Sequence, residues 1–282
     1  MSSSSSYTSL EIIQEDTTNP SVFTLYLNRP TRHNALSLAF FSEFPRALSS
    51  LDQNPEVSVI VLSGRGKHFC SGIDLAALNS ISSSYDDDVP SDRGRSGEKL
   101  LRQIYMMQEA VSAIEKCRKV VVAAVNGACI GGGIDIITAC DIRYCCEDAK
   151  FSVKEVDVGI TADLGTLQRL PGIVGFGNAI ELALTGRLFG AEEAKGMGLV
   201  SKVFGNKNEL DQGVRAIAKG IASKSPLAVI GTKNVLLKSR DMSVQHGLDY
   251  VATWNSSMLL SDDLKEVISA QKQKRKPSFS KL

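Results

Sequence analysis

The sequence lacks an excess of charge of either sign, and it has only three histidines. Its 282 residues carry 32 basic and 31 acidic side chains, for a formal net charge of +1. This balance provides no global field for nucleic acid or an anionic membrane, so neither is expected as a partner. The histidines have no metal-ligand spacing, and no metal site is predicted; they are His33, His68 and His246.

Paired cysteines and long apolar runs are also missing. The six cysteines form neither a CxxC pair nor a cysteine–histidine set with zinc spacing. Most lie in apolar stretches, where free cysteine acts as a small hydrophobic residue, so reduced thiols of an intracellular protein are expected. The longest apolar stretch, 120–140, contains Asn126-Gly127, three glycines and Asp135, which argues against a membrane span.

The two ends of the chain carry different signals. Residues 1–7 have no basic segment followed by an apolar one, so a disordered tail is expected rather than a secretory signal. Residues 276–282 form a second polar tail that ends in Ser280-Lys281-Leu282. A C-terminal SKL is a peroxisomal address, so we expect an import receptor as a partner and the peroxisome as the location.

Hydrophobic residues make up 43% of the chain, and their pattern indicates an α/β fold with both sheet faces covered. A polar, turn-rich stretch at 80–97 is predicted to be a loop. From about residue 171 the pattern becomes mostly helical. We expect an α/β core with the active site at 8–200 and a helical region at 201–275. Strands are predicted at 22–27, 57–64, 120–125 and 141–145.

Three consecutive glycines open a predicted helix in GACIGGGIDIITACDI, residues 127–142. Glycine lets a ligand approach the backbone, and the N–H groups and dipole of a helix start favour an oxyanion or phosphate. Tight helix–strand packing explains the glycines alone equally well. Asp135 favours a functional site, because a carboxylate among isoleucines needs a specific reason.

Two further stretches contain candidate groups. In HFCSGIDLAAL (68–78) the Ile73 N–H is a candidate outward donor, whereas Asp74 taken alone is an ordinary helix-start residue. In VKEVDVGITADLGT (153–166) three carboxylates interrupt an apolar segment. If 153–158 is extended, Glu155 and Asp157 share one face.

Asp163 follows on a new segment beyond Gly159, so Glu155 and Asp163 can face one cavity from different directions. Asp157 is expected at the surface or in a structural salt bridge.

Four blocks of the sequence belong together: LNRPTRHNAL (27–36), HFCSGIDL (68–75), AAVNGACIGGGIDIITACDIRYC (123–145) and GTLQRLPGIVG (165–175). With these blocks the chain resembles the enoyl-CoA hydratase/isomerase (crotonase) superfamily over about residues 8–275. Within it the sequence is most similar to the Δ3,5-Δ2,4-dienoyl-CoA isomerases, whose acidic residues match Asp135, Glu155 and Asp163. The resemblance implies the crotonase (ClpP-like) fold: a spiral core of repeated ββα units and a helical C-terminal region that forms homotrimers, paired into homohexamers.

The resemblance implies a fatty dienoyl-CoA substrate whose thioester oxygen lies between the N–H groups of Ile73 and Gly132. Glu155 is then expected to take the C2 proton and Asp163 to protonate C6, although these two roles are exchangeable. Asp135 is expected to tune or orient the pair, or to serve as a polar wall. No metal or redox cofactor is needed, because only protons move and CoA is part of the substrate. Expected substrate-binding residues are Arg32, Gly72, Ile73, Asp74, Leu75, Gly132 and Gly133.

Departures from the hydratase pattern favour an isomerase, because hydratases carry Glu where Asp135 stands and Gly where Asp163 stands. An enoyl-CoA hydratase remains an alternative, as does a Δ3,Δ2-enoyl-CoA isomerase that uses Glu155 alone. A non-catalytic acyl-CoA-binding or RNA-binding protein of the same fold is a third alternative. Retention of all three acids and the neutral net charge oppose it.

Overall fold

The computed structural model describes residues 7–14, 21–83 and 92–282, and these contain two β-sheets surrounded by helices. The larger sheet has six strands: β1 (Leu10–Gln14), β2 (Val22–Leu27), β3 (Val59–Gly64), β4 (Val120–Val125), β6 (Ile142–Cys146) and β9 (Lys202–Phe204). The smaller sheet has three: β5 (Ala128–Ile130), β7 (Lys150–Ser152) and β8 (Phe189–Gly190).

Strand order in the larger sheet is β1-β2-β3-β4-β6-β9, and every pair except the antiparallel β1–β2 is parallel. Strand β4, VVVAAV, is buried along its whole length. Its alternate residues belong to two different cores, which confirms that both faces of the sheet are covered. One core contains Val121, Ala123 and Val125, and the other contains Val120, Val122 and Ala124.

Helices cover both faces. Helices α1 and α3 pack against each other beside the larger core, and α8 covers the opposite face with Leu210, Val214 and Ala218, which are spaced by four residues. The helices are α1 (Leu38–Gln53), α2 (Leu75–Ser83), α3 (Arg93–Lys116), α4 (Gly132–Ala139), α5 (Thr166–Val174), α6 (Phe176–Thr185), α7 (Ala191–Gly196), α8 (Lys207–Ala222), α9 (Pro226–Ser239), α10 (Val244–Met258) and α11 (Asp262–Lys272). Two 3-10 helices span Pro30–Arg32 and Glu155–Val158.

The predicted loop at 80–97 is only partly a loop. Helix α2 continues to Ser83, and α3 already begins at Arg93. It begins there because the Asp92 carboxylate accepts hydrogen bonds from two backbone N–H groups of the first turn. The rest of the predicted loop, 84–91, lies outside the described residues.

The α/β part of the molecule continues past the predicted boundary at residue 200. Strand β9 pairs with β6, α8 packs on the sheet, and Val229 of α9 packs against the same core, so residue 201 does not mark the start of a separate helical part. At the N-terminus, residues 1–6 of the predicted tail lie outside the described residues, whereas Tyr7 packs against the core. The predicted tail at 276–282 has no regular secondary structure, and Lys281 forms an ion pair with Glu56.

Residues 153–158 do not form the extended segment that would place Glu155 and Asp157 on one face. Strand β7 ends at Ser152, and Glu155–Val158 forms a 3-10 helix. Gly159 ends this helix with φ of +77°, a conformation that favours glycine. The tighter backbone separates two acids that strand alternation placed on one face: Glu155 is buried, whereas Asp157 is exposed.

Two further features agree with the composition. All six cysteine thiols are free and buried. Among the described residues, no helix combines the length and the apolar character that a membrane span requires.

Candidate active site

A cavity of about 590 Å³ lies between the start of α2, the start of α4 and the segment that leads into α5. Four segments line it, within residues 31–36, 71–78, 130–135 and 154–164. The stretches in which the sequence predicted functional groups therefore meet at one place. Asp135, Glu155 and Asp163 all belong to the wall of this cavity, as do Ile73 and Gly132.

The local backbone hydrogen bonding at the cavity wall does not use the N–H groups of Ile73 and Gly132. Leu36 pairs with Ile73 in a parallel bridge: the Leu36 N–H donates to the Gly72 carbonyl (2.8 Å), and the Asp74 N–H donates to the Leu36 carbonyl (2.9 Å). This pattern turns the N–H of Ile73 itself away from Leu36. Gly132 is the first residue of α4, so its N–H has no acceptor within the helix. Both N–H groups belong to residues of the cavity wall and are candidates to donate to an oxygen atom of a ligand.

The sequence left two explanations for the three glycines, close approach of a ligand and tight packing, and the structure shows both among them. Gly132 lies in the cavity wall. Gly133 instead faces the core, because a Cβ there would lie 3.1 Å from Cys70 Cβ and 3.2 Å from Cys129 Sγ. Gly133 is not among the residues that line this cavity, and packing explains why it is glycine; its contact with the substrate stays a prediction.

Asp135 is buried, with only 1% of its surface exposed. Its Oδ1 accepts hydrogen bonds from the Thr166 N–H and the Thr166 hydroxyl, each at 2.7 Å. Burial raises the pKa of Asp135 to about 6, although these hydrogen bonds oppose the rise. Since Thr166 begins α5, the free N–H groups of that helix start meet the carboxylate.

Glu155 is 8% exposed, and its carboxyl group lies against the start of α4. A Cβ on Gly131 would be 3.2 Å from Glu155 Oε1. Within the described part of the chain, Oε2 of Glu155 is buried without a hydrogen-bond partner. Burial, followed by the charge of Asp135, raises the pKa of Glu155 to about 7. This carboxyl group therefore exchanges a proton near neutral pH.

Asp163 is half-buried, on the turn that precedes α5. Burial raises the pKa of its carboxyl group above the ordinary range. Its backbone carbonyl accepts a hydrogen bond from Nε2 of Gln108 on α3, at 2.7 Å. The side chain is thus carried by a turn that a neighbouring helix holds in place.

The three carboxyl groups also act on one another electrostatically. The Asp163 charge raises the pKa of both Asp135 and Glu155, in addition to the larger effect of burial. Interacting acids of this kind release their protons in separate steps, so protonated and ionised members coexist near neutral pH. The cluster can therefore supply an acid and a base at the same time. No group of His, Cys, Asp or Glu in the described ranges is arranged to hold a metal ion.

Arg32, Gly72, Asp74 and Leu75, which the resemblance implied as substrate contacts, all line the cavity. Asp74 is already engaged structurally: its Oδ2 accepts from Arg29 Nη2 at 2.9 Å, and its Oδ1 accepts from a backbone N–H in the first turn of α2. Its ordinary helix-start role is thereby confirmed. Arg32 is exposed at the cavity, where an anionic part of a ligand can reach it.

Sequence reasoning missed Thr166 and Lys154. Thr166 was quoted only within a family block, yet it supplies both hydrogen bonds to Asp135. A threonine that follows a glycine at a helix start was the available signal, because free N–H groups attract carboxylates there. Lys154 also lines the cavity and forms an ion pair with Asp157, which agrees with the structural salt bridge expected for Asp157.

A family model described as enoyl-CoA hydratase/isomerase matches residues 17–281. The chain belongs to this family. A relative from Arabidopsis thaliana, "Delta(3,5)-Delta(2,4)-dienoyl-CoA isomerase, peroxisomal", is 68% identical over 277 residues, which cover 98% of this chain and 99% of the relative. The mitochondrial protein of the same name from Homo sapiens is 45% identical over 279 residues, covering 97% and 84%.

Solved structures of similar fold include a putative enoyl-CoA hydratase from Streptomyces coelicolor A3(2), with a TM-score of 0.87 and 28% identity over 99% of this chain and 96% of that one. An enoyl-CoA hydratase from Bacillus anthracis has a TM-score of 0.85 and 30% identity, covering 96% and 99%. The crotonase fold that the sequence blocks predicted is confirmed.

Proposed function

We propose that this protein isomerises 3,5-dienoyl-CoA to 2,4-dienoyl-CoA in the β-oxidation of unsaturated fatty acids. The observation that carries the proposal is Asp163, a third acid that shares one cavity with Asp135 and Glu155. Shifting both double bonds of a diene requires proton transfer at two separated carbons, and this site has acids on two different segments. The Arabidopsis relative, 68% identical, is named for this reaction.

Backbone donors stabilise the first intermediate in this mechanism. The thioester oxygen of the substrate accepts hydrogen bonds from the N–H groups of Ile73 and Gly132. Loss of the C2 proton places negative charge on that oxygen, and the dipole of α4 favours the charge. One donor of this kind typically contributes ~10²–10³ in rate. Both donors belong to the backbone, so their contribution does not depend on the side chain at position 73.

Two carboxyl groups then move the proton. Glu155 removes the C2 proton, which the thioester and the diene both acidify, and a dienolate forms with charge spread to C4 and C6. Asp163 protonates C6, which gives the conjugated 2,4-diene. Asp135 lies beside Glu155, and its charge adds to the effect of burial in raising the pKa of Glu155. The raised pKa values of all three groups support the presence of an acid and a base in one cavity near neutral pH, and Glu155 and Asp163 can exchange these two roles.

The reaction needs no metal or redox cofactor, since CoA enters as part of the substrate and only protons move. Arg32, exposed at the cavity, is the residue we propose to contact the CoA portion.

Exposed apolar side chains on α10 and the turn after it support assembly into a homotrimer, with trimers pairing into hexamers. Val244, Leu248 and Leu260 are 83%, 55% and 79% exposed. Light scattering on the purified protein measures the assembled mass.

The proposed location is the peroxisome, which the name of the Arabidopsis relative supports. Ser280-Lys281-Leu282 is the segment that an import receptor would read. A fluorescent protein fused to the N-terminus should enter peroxisomes, and the same fusion without these three residues should stay outside.

An ultraviolet assay tests the activity directly. Purified protein mixed with a 3,5-dienoyl-CoA should produce the absorbance of the conjugated 2,4-dienoyl thioester, and it should hydrate crotonyl-CoA slowly. Asp163→Asn and Glu155→Gln should each lower kcat by several orders of magnitude while the protein remains folded. Asp157→Asn, on the exposed side of the same 3-10 helix, is the matched control and should change kcat far less.

Two results would contradict the proposal. Full isomerase activity in both the Asp163→Asn and the Glu155→Gln variants would remove the acids from the mechanism. Fast hydration of crotonyl-CoA, together with no absorbance change from the dienoyl substrate, would assign the site to a hydratase.

A further inference from the structure

Helix α3 presents three polar side chains to the turn that carries Asp163. Gln108, Ser112 and Glu115 are spaced by four and three residues, so they lie on one face of the helix. The first of them donates its Nε2–H to the Asp163 carbonyl at 2.7 Å. The other two meet Arg169, which belongs to the first turn of α5.

Arg169 joins this face of α3 to the backbone of the same turn. Its Nε and Nη2 donate to Glu115 Oε2 at 2.9 and 2.7 Å, and Nη2 also donates to Ser112 Oγ at 3.1 Å. Nη1 donates to the Leu164 carbonyl at 3.3 Å. A Cβ at Gly165 would lie only 1.7 Å from Nη1, so the guanidinium rests directly on the glycine. Arginine's planar fork allows one side chain to hold all these partners.

The turn from 163 to 166 serves two acids at once. It carries the Asp163 side chain into the cavity, and it places the N–H and hydroxyl of Thr166 against Asp135. A shift of this turn would therefore displace one acid and remove the hydrogen bonds of a second.

We propose that Gln108 and the Glu115–Arg169 ion pair are positioning residues that hold the turn 163–166 in the geometry needed for proton transfer at the far end of the diene. None of the three lines the cavity. They act through Asp163 and Asp135, and the proposal rests on the isomerase function stated above.

The ion pair is suited to hold geometry rather than to supply charge. The two side chains are only 11% and 16% exposed, and Glu115 also accepts from Arg240 Nη2 at 2.6 Å. Burial alone would raise the pKa of Glu115, but the hydrogen bonds from Arg169 and Arg240 hold it below its ordinary value. Glu115 therefore stays ionised throughout the neutral range, and the contact persists while the acids titrate.

Three variants test the proposal: Gln108→Leu, Arg169→Met and Arg169→Lys. Arg102→Met is the matched control, because Arg102 forms an ion pair with Glu98 on the exposed side of the same helix. For each protein we would measure kcat with a 3,5-dienoyl-CoA, the Kd of saturated hexanoyl-CoA, and the urea midpoint of unfolding.

A positioning role predicts that Gln108→Leu and Arg169→Met lower kcat by about 10- to 100-fold, since small displacements near reacting groups have effects of this size. The Kd of hexanoyl-CoA should change by less than about twofold, because the remaining binding contacts are intact. Arg169→Lys should fail to restore kcat, since an ammonium group keeps the charge but cannot form the fork of contacts. Arg102→Met should behave as wild type.

A double-mutant cycle checks the route of the effect. In an Asp163→Asn background, kcat is measured at high enzyme concentration. There Gln108→Leu should lower kcat by a much smaller factor than it does in wild type, since the effects of residues that act as a unit are non-additive.

Wild-type kcat in Gln108→Leu and Arg169→Met would overturn the proposal. So would a loss of kcat matched by weaker hexanoyl-CoA binding, because that pattern indicates general damage to the site. Failure of the isomerase function itself would be distinguishable, since wild-type protein would then lack the activity before any variant was compared.

Discussion

Glu155 should make the folded protein less stable as pH rises, and the change can be calculated from its environment. Its carboxyl group is buried with one oxygen unpartnered, and burial raises its pKa from 4.5 to about 7. Between these two values the folded state keeps a proton that the unfolded state has released. The free energy of unfolding therefore falls as pH rises through this window. The slope is roughly 1.4 kcal/mol for each pH unit, and the total is about 3 kcal/mol.

Replacing Glu155 by Gln removes this titration while nearly preserving shape. Urea unfolding of both proteins at pH 4 and pH 8, at one protein concentration, gives the difference in stability at each pH. The cost of burying an amide is the same at both values and cancels in the comparison. Relative to wild type, the free energy of unfolding of the variant should be about 3 kcal/mol more favourable to the folded state at pH 8 than at pH 4, even though the variant has lost its activity.

Asp157→Asn provides the control, because Asp157 is exposed and paired with Lys154. The free energy of unfolding of this variant should depend on pH as that of wild type does. An identical pH dependence in Glu155→Gln and wild type would refute the reasoning, since it would mean that Glu155 ionises in the folded state as readily as in the unfolded chain.

Three other substitutions probe the surroundings of the acids and the fold. Thr166→Val removes one hydrogen bond to ionised Asp135, worth about 1.5–3 kcal/mol, so the pKa of Asp135 should rise from about 6 by roughly one to two pH units, visible as a shift in the pH profile of kcat. Gly131→Ala should lower the urea midpoint, corresponding to about 1–2 kcal/mol, because φ is +51° there. The added methyl group, 3.2 Å from Glu155 Oε1, should also lower kcat. Hydrogen bonds from Thr8 and Ser9 hold the pKa of Glu43 below 4.5 despite its burial, so wild type should lose stability as pH falls through this region, whereas Glu43→Gln should lack that part of the acid sensitivity.

The sequence was informative wherever a signal was local. A continuous apolar run predicted β4 as a strand covered on both faces, and consecutive glycines predicted the start of α4. Carboxylates inside apolar stretches predicted a shared site, and Asp135, Glu155 and Asp163 do line one cavity. These inferences succeeded because burying a charge is costly whatever the fold around it.

Other features depended on contacts that no local pattern contains. Thr166 lies 31 residues from Asp135, and only the packing of α4 against α5 brings the hydrogen bonds together. Residues 155–158 alternate between charged and apolar side chains as a strand does, but so short a window cannot separate that pattern from a 3-10 turn. Likewise, a glycine triplet does not reveal which of its members faces a cavity and which packs on the core.

The order of strands in the larger sheet, β1-β2-β3-β4-β6-β9, also bears on how the chain folds during synthesis. Each new strand pairs with the strand that precedes it in the sequence of this sheet. Its partner in the sheet has therefore always left the ribosome before it. The sheet can therefore grow in one direction without waiting for distant sequence. The acid cluster, by contrast, is completed only when residues 163–166 emerge and α5 docks. In a nascent chain, most of the larger sheet can thus form well before the three acids are assembled in one site.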